Sequence, residues 1–173
     1  MIVREPEIER ACQRVQHAYQ QSGVDATLLF RTVLSVGEQV GLDQALSCLE
    51  HCVTCKRMVW LDEHIDRLER SGDPLLDGYR LFYEAYLGLS VPADGTIVER
   101  DGRRIVTRWW NRCPTLEACQ ALGLDTRTIC RLAYQRPVQA FLSRIDPRLR
   151  FDRNYGALRP YAPYCEEILS LLE

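Results

Sequence analysis

The spacing of apolar residues changes once along this chain, and that change constrains the fold more than any other feature. Up to about residue 88 apolar positions recur every three or four residues, the period of a helix buried on one face. Beyond about residue 95 they alternate over short runs, as strands require. Ile8, Cys12, Val15 and Tyr19 predict a first helix ending at Gly23. Asp25 is placed to cap a second through Leu29, Val33 and Val36 toward Gly41, and Asp43 to cap a third running to about Arg70. A turn at Ser71-Gly72-Asp73-Pro74 precedes a fourth helix over Leu75 to Leu87, and Val91-Pro92-Ala93-Asp94-Gly95 marks the clearest boundary in the chain.

Past that boundary, Thr96 to Glu99 and Arg103 to Trp110 flank Asp101-Gly102, which predicts a β-hairpin. Cys113-Pro114 opens a helix stopped by Gly123. Asp125 caps another from Thr126, in which Pro137 should break or kink the run. Leu149 to Asn154 alternates as a strand does, and Tyr164 to Leu172 fits either a strand or a helix. The expected fold is α+β in a single domain over residues 1–173. A helical subregion (1–90) packs with an antiparallel sheet and two or three helices (95–173).

A chain of 173 residues buries enough surface to fold without covalent staples. Its 8 cysteines are too sparse for a small secreted disulfide scaffold. The first residues carry Arg4, Glu5, Glu7, Glu9 and Arg10 where an export signal would need an apolar core. Even Leu28 to Val40, an apolar stretch, is interrupted by Arg31 and Glu38. These features predict a cytoplasmic protein with no membrane partner and with free or metal-bound thiols. Residues 1–99 hold 9 Lys+Arg against 16 Asp+Glu and residues 100–173 hold 13 against 8, so −7 and +5 sum to −2. The arginines of the second half are interspersed with acids and framed by no recognition motif, which argues against nucleic acid. The asymmetry suits an anion site or attraction between the halves.

Two groups of cysteines carry the possible chemistry. Cys48, Cys52 and Cys55 fall within about 60° of one another around the third helix, forming a thiol stripe. Leu42, Leu46, Leu49, Val53 and Trp60 point roughly 100° away. Thiolates at this spacing could give two or three ligands to zinc or an iron–sulfur cluster. Free cysteine is also a small buried hydrophobe, and Ala45 and Val59 share its face. His51 points elsewhere, as a surface residue does. In the second group, Cys113 precedes a helix-opening proline, so its thiol lies beside unpaired backbone N–H groups that favour thiolate. Cys119, spaced with Leu116 and Leu122, belongs to a core face. Cys113, Cys130 and Cys165 could converge as an alternative metal set, although the spacing C-x5-C-x10-C-x34-C follows no known template.

Thr107 to Glu167 resembles the family of L-2-amino-thiazoline-4-carboxylic acid hydrolase-like proteins. The resemblance rests on Arg112-Cys113-Pro114 opening a helix, Cys130 in the next, Pro147-Arg148-Leu149-Arg150-Phe151-Asp152-Arg153, and Cys165 near the C-terminus. Cys165-Glu166-Glu167 stands where that family ends in a cysteine pair. More distantly, the chain is similar to vinyl-reductase-type sensor domains. The resemblance implies hydrolytic opening of a small sulfur- and nitrogen-containing ring or amidine, with Cys113 the nucleophile and Cys165 the next candidate. Arg150 or Arg153 would clamp a substrate carboxylate, or else line a solvated strand face. His17, His51 and His64 all lie in the N-terminal helices, so a general base is not evident. The competing reading is a zinc or iron–sulfur domain sensing redox state or a small ligand. A homodimer is compatible with either.

Overall fold

The computed structural model describes residues 5–23, 25–67 and 69–172. The architecture is α+β, with a helical N-terminal half and a four-stranded antiparallel sheet in the C-terminal half. Packing gathers the chain into two compact units, Met1–Val53 with Cys113–Arg136 and Thr54–Arg112 with Pro137–Glu173. The change of period near residue 90 is therefore not where the packing divides. Each unit is assembled from both halves of the sequence.

The first unit is built on α1 (Glu5–Gln21), α2 (Ala26–Val40) and the first half of α3 (Leu42–His64). Ala11, Val15 and Ala18 form the buried seam of α1, and Leu29, Phe30, Val33 and Val36 that of α2. Asp25 caps α2 as its position predicts, its Oδ1 accepting the Thr27 N–H at 2.8 Å. Gly41, at φ 92°, ends that helix and leads directly into α3. Asp43 therefore lies inside the first turn of α3 and does not cap it. Two further helices complete this core: α5 (Pro114–Leu122) and α6 (Thr126–Ile129), the latter continued by a widened π turn over Cys130–Tyr134. Ala118, Cys119, Ile129 and Ala133 are buried in the same cluster as Leu29, Val33, Leu46 and Leu49.

The second unit takes the rest of α3, which ends at His64 followed by a single 3₁₀ turn (Ile65–Arg67), short of the expected Arg70. His64 itself closes the helix: its Nδ1–H donates to the Trp60 carbonyl at 2.7 Å, and its ring stacks on Trp60 with centroids 4.2 Å apart. Asp73 caps α4 (Pro74–Tyr79), which widens into a π turn over Arg80–Tyr86. α7 (Gln135–Ile145) enters this unit at Pro137. The helix does not break there, because the widened turn just before it makes room for a residue lacking the N–H that would meet the carbonyl four residues back.

The strands are β1 (Gly95–Arg100), β2 (Arg104–Trp109), β3 (Leu149–Arg153) and β4 (Cys165–Leu171), in the order β1-β2-β4-β3. The segment that fitted either strand or helix is thus the strand β4, paired on both sides. Gly95 does more than end a loop. A Cβ there would lie 2.6 Å from the Arg108 carbonyl oxygen and against the Trp109 ring, so the β1–β2 ribbon closes over a bare backbone. Ile105, Trp109, Leu149, Phe151 and Leu169 on the sheet share one buried cluster with Phe82, Tyr83, Phe141 and Leu142.

Candidate functional site

In the first unit, Cys113 occupies the N-cap of α5 with extended backbone (φ −129°, ψ 103°), ahead of Pro114 in the first turn. The thiol is half-buried and makes no capping hydrogen bond. A helix start without a side-chain acceptor presents its N–H groups and the positive end of the helix dipole to whatever anion comes near. Two residues on, the Thr115 hydroxyl donates to the Tyr134 hydroxyl at 3.1 Å. Burial holds the Tyr134 phenol well above its ordinary value. Thr115 opposes that shift, while Tyr19, Cys130 and Cys113 add to it. Tyr134 therefore stays protonated at neutral pH. The sulfurs of Cys113 and Cys130 both lie within electrostatic reach of this one hydroxyl. Cys119 is sealed in the core, as its spacing predicts; burial pushes its thiol up to about 11, with Thr126 opposing. It is chemically quiet at neutral pH.

The remaining expected site residues belong to the second unit. Cys165 opens β4, half-buried and opposite Trp109 of β2. Arg153 is paired within the sheet. Its Nε donates to Glu167 Oε1 at 2.9 Å and its Nη2 to the same oxygen at 2.5 Å, and both side chains are about nine-tenths buried. Tyr83 donates its hydroxyl to the other oxygen, Oε2, at 2.9 Å. Burial first, and Glu167 second, hold that phenol far above its ordinary value. The charge of Arg153 is thus met by a carboxylate directly opposite on the neighbouring strand. Arg150 is exposed and donates through Nη1 to the carbonyls of Pro147 and Leu149, both at 2.8 Å, as part of a solvated strand face.

The stripe on α3 is corrected more sharply. Cys48 is disulfide-bonded to Cys12 of α1, with Cα atoms 5.1 Å apart, so the thiols are not all reduced and this sulfur is not a metal ligand. Spacing along one helix could not show that α1 approaches this face. Cys52 is half-buried and Cys55 exposed. Among the described residues no three His, Cys, Asp or Glu side chains gather as a metal-holding group, so neither Cys48, Cys52 and Cys55 nor Cys113, Cys130 and Cys165 is assembled as one. His17 and His51 are exposed, and His64 is held by Trp60.

Tyr134, Thr115, Tyr83 and Glu167 were not anticipated from the sequence. Only the first had a local signal, since it stands four residues after Cys130 and so on the same helical side. No helix among the described residues is long and apolar enough to cross a membrane. No protein-family model, curated protein or solved structure matches the chain.

Proposed function

We propose that this protein is a cysteine-dependent hydrolase of small sulfur- and nitrogen-containing rings or amidines, with Cys113 as the nucleophile. One observation carries the reading: the Cys113 thiol sits at the start of α5, half-buried and directly ahead of the proline in its first turn. The Cys113 thiolate attacks the carbon of a C=N group, forming a C–S bond and sending the π pair to nitrogen, which takes up a proton. Water supplies that proton. The adduct collapses by breaking the ring C–S bond (or the C–N bond of an amidine), whose pair leaves on that sulfur or nitrogen with a proton, so that the carbon is again doubly bonded to nitrogen and still bonded to Cys113. Water then adds to that carbon, its protons going to the nitrogen and the departing sulfur, and the bond to Cys113 breaks, leaving the opened product and the free thiol. Cys165 is the second candidate nucleophile. The reading sets the protein in the cytoplasm with a small molecule as partner, as a monomer or homodimer, and requires no metal.

Limiting iodoacetamide at pH 7, followed by peptide mapping, tests it. Cys113 should be alkylated ahead of the exposed Cys55, because thiolate content and not access alone sets the rate. Cys113→Ala should abolish turnover of 2-aminothiazoline-4-carboxylate. Labelling that follows exposure, with Cys55 first, would remove the basis for this assignment.

A further inference from the structure

The sulfur stripe on α3 plays no part in the hydrolase reading, and its arrangement points to a chemistry of its own. Cys48 is 4 % exposed and bonded to Cys12, which packs at the margin of the same apolar cluster. Cys52 follows one helical turn later, half-buried and outside the disulfide. Side chains four residues apart on a helix have Cβ atoms about 5–6 Å apart, so Cys52 lies one turn along the same face as Cys48. A thiol beside a disulfide is the arrangement from which exchange proceeds. Held in the same helix, this thiol needs no diffusional encounter to reach the bond.

We propose that Cys12–Cys48 is a thiol–disulfide exchange site for low-molecular-weight thiols, with Cys52 as the attacking thiol, and that its opening leaves α1 held by noncovalent packing alone. The Cys52 thiolate attacks Cys48 Sγ; the Cys48–Cys52 bond forms, the Cys12–Cys48 bond breaks, and Cys12 leaves as a thiolate that takes up the proton Cys52 lost. No electrons are gained or lost in that step. A disulfide needs Cβ atoms about 3.5–4.5 Å apart, closer than one helical turn offers, so Cys48–Cys52 is a transient and Cys12–Cys48 the resting form. A monothiol then attacks the half-buried Cys52 sulfur, releasing Cys48 as a thiol. A second monothiol attacks the mixed disulfide, restoring Cys52 and leaving as the small-molecule disulfide. In sum two monothiols are oxidised to one disulfide and Cys12–Cys48 is reduced to two thiols. α1 is then held by its Ala11, Val15 and Ala18 seam and by Arg14, which donates to Gln39 at 2.9 Å and Ser35 at 3.4 Å.

The test exposes the whole chain to reduced glutathione, quenches aliquots with iodoacetamide and maps the cysteines after trypsin. Residues 32–56 carry Cys48, Cys52 and Cys55 on one tryptic peptide, and Cys12 lies on another. Wild-type protein should pass through a species with Cys12 alkylated while residues 32–56 keep an internal disulfide. Cys52→Ser should lower the rate of Cys12–Cys48 opening at least about tenfold. Glutathione found first on Cys12, with Cys52 still alkylatable, overturns the proposal, as does a Cys52→Ser protein that opens at the wild-type rate. Should the variant not fold, the order of species in the wild-type chain decides alone. Neither result bears on Cys113, whose labelling is read from a separate peptide.

Discussion

Reducing the Cys12–Cys48 bond should destabilise the protein by about 4 kcal/mol, and the size of that effect tests whether the bond acts as a constraint. The linked residues are 36 apart. Cross-linking a loop of that length removes about 13 cal/mol/K of entropy from the unfolded chain, or about 4 kcal/mol at 25 °C. The folded state should lose little on reduction, since Cys48 is 4 % exposed and a reduced thiol packs as a small apolar group. For 173 residues the unfolding entropy near 60 °C is about 0.36 kcal/mol/K, so Tm should fall by about 10 °C. The assay is calorimetry with and without a phosphine reductant, which cleaves the bond without leaving a mixed disulfide. Cys12→Ala/Cys48→Ala should match or exceed the loss and respond no further to the reductant. A shift below about 2 °C would show that α1 is held in the unfolded ensemble, or in the native one, by something other than this bond, and the entropic argument would fail.

Three further outcomes follow from the second unit and from the core. Glu167→Ala strands the Arg153 guanidinium in a site about nine-tenths buried, and should cost about 3–5 kcal/mol in urea unfolding; a loss below about 1 kcal/mol would mean that water reaches the pair. Gly95→Ala forces a methyl group to 2.6 Å from the Arg108 carbonyl and against Trp109, with an expected loss of about 1–3 kcal/mol and a change in near-ultraviolet dichroism from that indole. Cys119 gives a pH signature: its thiol rises from an ordinary 9.0 to about 11 on folding, so the unfolded chain ionises first. Stability is fully present below pH 9 and should fall as pH rises toward 11, and Cys119→Ala should flatten that part of the profile.

Features encoded by neighbouring residues were legible before any coordinates. Asp25 and Asp125 cap the helices their positions predict, Gly123 closes α5 in the left-handed region, and Asp101-Gly102 turns the hairpin. Each depends on groups within four residues of one another, which a sequence displays directly. β4 was ambiguous because its period allows either element. Pairing with β2 on one side and β3 on the other settles it as a strand, and neither partner can be read from the segment itself.

The same distinction explains which site residues were found. Cys113 was placed correctly because the proline after it fixes a helix start, a local matter. Arg153 fits a ligand clamp or a solvated strand face equally from its own segment, because its partner is 14 residues away and becomes its neighbour only through the β3–β4 register, which sets Arg153 opposite Glu167. An arginine on an alternating strand has no fixed meaning until the opposite strand is known; across from a buried carboxylate it is structural, and across from an empty groove it would bind. Cys48 repeats the lesson with sulfur. Its helical stripe correctly identified neighbours on α3, but the decisive partner is Cys12, 36 residues away on another helix, and contact with that partner turns a ligand candidate into one half of a covalent clasp. A residue's chemistry here is set less by its type or spacing than by whichever group the tertiary fold brings to its tip.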